Sequence, residues 1–171
     1  MNLPKKPLEG HGMPEARFLY WDTNVFVAYL NNEAGRALII ESIFDEILKE
    51  KNFKITTSTI TISEVAWVAQ EKLKRTLLPQ EEARIDGLWE NSALIEFIDF
   101  NEEIAYQART IMRNGMARGL SRLKPLDFIH LASAEWLGAI EINTYDNKFA
   151  SFTNLINIPI KEPHINQAKL F

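Results

Sequence analysis

Apolar and polar positions along this chain fall into two periods, and the switches between them predict most of the elements. Phe18, Leu19, Tyr20 and Trp21 form an apolar, aromatic run of the kind found in buried strands. Asp22, Thr23 and Asn24 interrupt it, and residues 25–30 read as a short helix. Over residues 36–50, Ile40, Ile43, Phe44, Ile47 and Leu48 lie on one side at the 3.6-residue period of an amphipathic helix. Residues 54–58 are strand-like through their β-branched side chains, and residues 60–74 read as a helix with Val65, Val68 and Ala69 on its apolar face. Pro79 suits the first turn of a helix reaching about residue 91. A strand over 94–98 follows, then a helix marked by Ile104, Ala108, Ile111 and Met112 and stopped near Gly115. A loop occupies 115–124. Pro125 then opens a helix that runs to Leu137 and ends at Gly138. Residues 139–144 make a strand, followed by a turn at Asp146-Asn147 and a short helical patch. Residues 156–160 read as a last strand at a sheet edge, because Pro159 is poorly tolerated in a sheet centre.

Strands that alternate with helices imply βαβ units, so the expected fold is α/β: a mainly parallel central sheet with helices on both faces, in three layers. One domain is expected over residues 18–161. Ahead of it, Pro4, Pro7, Gly10, Gly12 and Pro14 make residues 1–17 a flexible leader too poor in apolar periodicity to offset its ordering entropy. Met13 offers an internal start, with residues 1–12 a non-native addition. Residues 162–171 read as a loose tail.

Composition narrows the chemistry. With no cysteine, disulfides, thiolate metal sites and a cysteine nucleophile are all excluded. The three histidines, His11, His130 and His164, are too few and too scattered to favour a histidine-rich metal site or a Ser-His-Asp triad. No apolar run approaches the ~20 residues of a membrane span, and no secretory signal pattern opens the chain, so the cytoplasm is the expected compartment. A net charge of −4 is not that of a dedicated nucleic-acid binder. Catalysis, if any, falls to carboxylates and a hard cation.

Four acids fall where an open parallel sheet places its ligands, at the carboxyl ends of its strands. Asp22 follows the first strand, Asp146 follows the 139–144 strand, Glu64 lies early in the helix after 54–58, and Asp127 lies in the first turn of the helix from Pro125. Each has an ordinary alternative. Asp22 suits a helix N-cap, Asp127 a helix-dipole position, and Asp146 turn chemistry. Glu64 is the least explained by structure, because residues 60–67 are otherwise uncharged and a lone buried carboxylate is costly.

Phe18 to Phe26 (FLYWDTNVF) resembles the opening of the PIN-domain nucleases. Thr59 to Trp67 (TITISEVAW), Lys124 to Ala134 (KPLDFIHLASA) and Asn143 to Phe149 (NTYDNKF) are similar to that family's second, third and fourth motifs. Each motif is weak alone, but four in order over residues 18–160 make a fairly specific pattern. The resemblance implies hydrolysis of RNA phosphodiesters with Mg²⁺ or Mn²⁺ by an acidic set of Asp22, Glu64, Asp127 and Asp146, supported by Thr23, Asn24 and Thr144. It also implies the toxin of a VapBC-type toxin–antitoxin pair, hence an antitoxin partner; a homodimer is a separate expectation.

Four clustered carboxylates raise one another's pKa values unless a counter-charge is present, and a divalent cation supplies it. Asp22 and Asp127 are the expected direct ligands of one ion or two. Glu64 and Asp146 would act through water or position the nucleophile. Thr23 and Thr144 would hold a carboxylate or the attacking water, and Asn24 would orient Asp22. His130 reads as a packing or hydrogen-bonding histidine rather than a ligand. Between Ile104 and Leu126, Arg109, Arg113, Arg118, Arg122 and Lys124 are unaccompanied by any acid and suit RNA phosphates, or else a solvated face. A haloacid-dehalogenase-type phosphohydrolase is disfavoured because Asn24 stands where it needs a second Asp. A phosphoacceptor receiver lacks its acidic pair upstream of Asp22. The remaining alternative is a catalytically silent module of the same fold that binds protein or RNA.

Overall fold

In the computed structural model the described residues are 17–50, 53–91 and 93–165. The first strand, β1 (Arg17–Trp21), leads into α1 (Thr23–Leu30) and α2 (Arg36–Glu50). Then come β2 (Phe53–Ser58), α3 (Ile60–Leu73), α4 (Pro79–Trp89), β3 (Ile95–Ile98) and α5 (Glu102–Ala117). The chain continues through α6 (Pro125–Leu137), β4 (Glu141–Asn143), a 3₁₀ turn (Asn147–Phe152), α7 (Thr153–Ile156) and β5 (Ile160–Lys161).

The five strands form one sheet in the order β3-β2-β1-β4-β5, and every pairing is parallel. Side chains alternate across a strand, and β1 uses both directions. Leu19 and Trp21 enter a core with α1, α2, Val65 of α3 and Ile85 of α4, while Tyr20 enters a second core with α5, α6, the 3₁₀ turn and α7. Helices thus cover both faces, and the architecture is the expected three-layer α/β fold. Among the described residues, no helix is long and apolar enough to cross a membrane.

Strand order reverses between β1 and β4. At such a switch point the loops leaving adjacent strands diverge and open a crevice at the carboxyl edge. Asp22 stands in it, with its backbone N–H bonded to the carbonyl of Asn143 at 3.2 Å.

Several boundaries differ from the sequence pattern: α1 begins at Thr23 rather than residue 25, and α4 ends at Trp89 rather than about residue 91. Helix α5 continues past Gly115 to Ala117, with the turn made at Gly119 in the left-handed region (φ 65°). Strand β4 is shorter, at three residues. The last strand is not 156–160 but Ile160–Lys161. Ile156 ends α7, Asn157 caps that helix at φ 56°, and the chain can extend only beyond it. The strand does lie at the sheet edge, and the Pro159 carbonyl accepts from Ile142 N–H at 2.9 Å. The expected leader lies outside the described residues except for Arg17, which already belongs to β1, and the tail lies outside them from residue 166. Within that tail Pro163 is buried, and His164 Nδ1 stands 3.7 Å from a carboxylate oxygen of Glu141.

Candidate active site

Asp22 is buried, at 2% exposure, and caps α1. Its Oδ1 accepts from Asn24 N–H (3.1 Å), and its Oδ2 accepts from the Asn24 amide (3.2 Å) and from Thr144 Oγ1 (2.7 Å). Burial pushes its carboxyl up to about 6; nearby His130 and the bonds from Thr144 and Asn24 oppose that rise without cancelling it. The carboxylate therefore lacks a full counter-charge.

Thr144 links this acid to the next. Its Oγ1 accepts from Asp146 N–H at 2.9 Å, and Asp146 Oδ1 in turn caps the 3₁₀ turn through Lys148 N–H at 3.0 Å. Between them, Tyr145 lies under the Arg36 guanidinium, 4.0 Å from its ring centroid, which pins the loop to α2.

Glu64 arrives from α3, on the other side of the crevice. Thr23 Oγ1 donates to its Oε2 at 2.5 Å, and His130 Nε2 lies 2.7 Å from the same oxygen. Burial acts to raise its carboxyl, but His130, Thr23 and the charge of Lys124 outweigh it and hold the group below the usual range. Asp127, at the third position of α6, accepts from Lys124 N–H at 2.7 Å. Its carboxyl is raised, first by burial and further by Asp146 and Glu64, against the Lys124 bond and His130. That mutual repulsion places Asp127, Asp146 and Glu64 within one electrostatic field.

All four acids thus gather at the carboxyl rim, and Thr23, Asn24 and Thr144 each hold one of them. Among the described residues, however, no three acidic or imidazole side chains converge tightly enough to enclose a cation directly. The donor set fits a hard cation held by one or two carboxylates that keeps much of its water, as Mg²⁺ prefers. The underprotected charge of Asp22 is the observation that favours such an ion.

The five basic residues are all exposed. Lys124 is the one whose charge reaches Glu64. The Arg109 guanidinium lies over the Tyr106 ring, 5.5 Å from its centroid, and Arg122 borders an apolar cavity with Met112, Met116 and Phe128. His130 is buried and hydrogen-bonded, as the sequence suggests, but its place beside Glu64 was not legible. Its partners Glu64, Thr23 (Oγ1 at 3.2 Å from Nε2) and Tyr20 lie 66, 107 and 110 residues away in the chain, and no local pattern reports them.

The family model described as PIN domain matches residues 19–155. No curated protein matches the sequence. Among solved structures, the chain is similar to VapBC2 from Rickettsia felis bound to a DNA fragment from their promoter (19% identity, 85% of this chain and 98% of that one, TM-score 0.64). It is also similar to FitAcB from Neisseria gonorrhoeae (19%, 85% and 97%, TM-score 0.60). A third is Mycobacterium tuberculosis VapC20, a sarcin-ricin loop cleaving toxin (14%, 78% and 93%, TM-score 0.59). At these identities the likeness is one of fold.

Proposed function

The chain belongs to the PIN domain family, and from that premise we propose that it is a divalent-metal-dependent ribonuclease, the toxin of a toxin–antitoxin pair. The observation that carries the reading is Asp22, a fully buried carboxylate at the switch point of the sheet, with Glu64, Asp127 and Asp146 brought to the same rim by three other segments. Nuclease chemistry rests on the family; the toxin role and an antitoxin partner rest on the likeness to VapBC and FitAcB. RNA as substrate rests on the likeness to VapC20 and on the exposed basic residues. A homodimer working in the cytoplasm belongs to the same reading.

Bound Mg²⁺ or Mn²⁺ supplies neutralisation of charge on the phosphate and activation of the attacking water. Asp22 and Asp127 are the proposed direct ligands. Asn24 and Thr144 fix the Asp22 carboxylate by three hydrogen bonds, so it holds one orientation as substrate arrives. Glu64 and Asp146 act through water or orient the nucleophile. Lys124 and the arginines 109, 113, 118 and 122 meet the RNA backbone, giving salt-sensitive binding with little sequence readout.

Purified protein is expected to cleave RNA with Mg²⁺ or Mn²⁺ and not in EDTA. Asp22→Asn should lower kcat by on the order of a thousandfold, equivalent to several kcal/mol of lost transition-state stabilisation. Equal cleavage in EDTA, or by the variant, would sink the mechanism. The second reading, a silent binding module, is favoured by the structural bond that each acid also makes. It predicts RNA or protein binding without cleavage under any metal.

A further inference from the structure

The nuclease reading leaves the buried imidazole of His130 unused. His130 is 2% exposed and joins the two layers of helices across the top of the sheet. Its Nδ1 lies 2.8 Å from the Tyr20 hydroxyl and its Nε2 2.7 Å from Glu64 Oε2. Tyr20 is fully buried, and because the Glu64 oxygen facing Nε2 accepts, Nε2 carries the hydrogen and the Tyr20 hydroxyl is the donor to Nδ1. A proton given to Nδ1 makes that nitrogen the acceptor and leaves the ring hydrogen on Nε2, where it faces the carboxylate.

Two donors then meet one oxygen. His130 Nε2–H and Thr23 Oγ1–H both engage Oε2 of Glu64, and Oε1 takes neither bond. The carboxylate is pinned through one oxygen and presents the other. Helix α6 carries both His130 and Asp127, one turn apart, so a single rigid element sets one acid directly and another through its imidazole.

We infer that His130, its tautomer fixed by Tyr20, is a positioning residue that orients Glu64 toward the divalent cation or its bound water. This rests on the metal-dependent reading of the site. The role parallels the outer hydrogen bonds that orient metal-binding carboxylates generally, whose loss typically weakens metal affinity or activity about 10- to 100-fold.

The test uses the full chain with Mn²⁺ as probe, measured by calorimetric titration and by the EPR signal of free Mn²⁺. Alongside, ¹⁵N NMR of the imidazole ring reads the tautomer, and steady-state RNA cleavage gives kcat and KM. Wild type should show the Nε2-protonated ring. His130→Leu should bind Mn²⁺ about 10- to 100-fold more weakly, with kcat reduced and KM for RNA nearly unchanged. His130→Gln, whose amide nitrogen replaces Nε2 as donor to Oε2, should recover most of that loss. Tyr20→Phe keeps the ring but removes the bond that fixes it, so the other tautomer should appear and Mn²⁺ binding should weaken by a few-fold. If His130→Leu fails to fold, Tyr20→Phe decides. A changed tautomer with unchanged Mn²⁺ affinity in that variant overturns the proposal, as does an Nδ1-protonated ring in wild type. A folded His130→Leu that binds Mn²⁺ as wild type does overturns it alone. Wild type that neither binds Mn²⁺ nor cleaves RNA overturns the nuclease reading, and this proposal with it.

Discussion

On the α1–α4 side of the sheet the core is aromatic. Trp21 stacks on Phe44 with centroids 5.5 Å apart, Phe26 meets Trp21 at 5.6 Å and Trp89 at 5.2 Å, and Tyr29 meets Phe44 edge-on at 5.3 Å. On the α5–α6 side Phe128 meets Phe152 edge-on at 5.7 Å, α6 buries the small residues Ala132, Ser133 and Ala134, and the ring partner of Tyr20 is His130. Large rings bury much area and add favourable ring geometry, so the first side is built for cohesion. Small residues let α6 approach the sheet, and the second side carries a polar chain from Tyr20 through His130 to Glu64. A buried polar chain contributes only when every member is satisfied. The division teaches that the larger aromatic cluster lies on one side of the sheet and the Tyr20–His130 polar chain on the other, and that the two sides meet where Glu64 of α3 reaches His130 of α6.

Substitutions can break or sharpen that contrast. The largest effect belongs to the aromatic side. Phe26→Ala should destabilise by about 3–5 kcal/mol in urea unfolding, with RNA cleavage per folded molecule unchanged; a loss of cleavage at constant folded fraction would show that the layers are not separate. On the opposite side, a Cβ at Gly115 would lie 2.5 Å from the buried Phe152 ring. Gly115→Ala should therefore cost about 1–3 kcal/mol through overpacking, and a neutral result would mean that this side yields more readily than its packing implies.

A smaller effect separates burial from chemistry at Asp22. Its folded pKa of about 6 stands above the ordinary 3.8, so the folded protein holds that proton more tightly than the unfolded chain does. The stabilisation from this group is full below 3.8 and is lost as pH rises through 6. Metal-free Asp22→Asn should then melt about 2–4 °C above wild type at pH 7.5, roughly 1 kcal/mol after lost charge-assisted bonds are counted, with the gap closing toward pH 4. A lower melting point at pH 7.5 would show that hydrogen bonding outweighs burial. The smallest effect is at the rim. Lys124→Gln should reduce the slope of log K against log salt for single-stranded RNA by about 0.7, and an unchanged slope would remove Lys124 from the RNA contacts.

Much of this was legible in the sequence where a local rule governs. The run ending in Trp21 marked a buried strand, Pro125 and Gly138 bracketed α6, and the uncharged surroundings of Glu64 singled that residue out. Legibility failed where a single backbone angle or a distant partner decides. The spacing of Ile156, Ile158 and Ile160 has the period of a strand, yet the left-handed turn at Asn157 gives Ile156 to a helix. Four acids were readable as a set, but not that Thr23 and His130 share one oxygen of Glu64, because that depends on how α3 and α6 pack.

The short β5 has a consequence for assembly. A strand at the rim of a sheet is a template for another chain, since its unpaired amides invite edge-to-edge addition. Here that rim is two residues long, follows Pro159, precedes the buried Pro163 and carries the charge of Lys161. An incoming strand would find almost no ladder to extend. At this border the sheet resists edge-to-edge addition by its own brevity, which leaves β3 as the longer of its two edges.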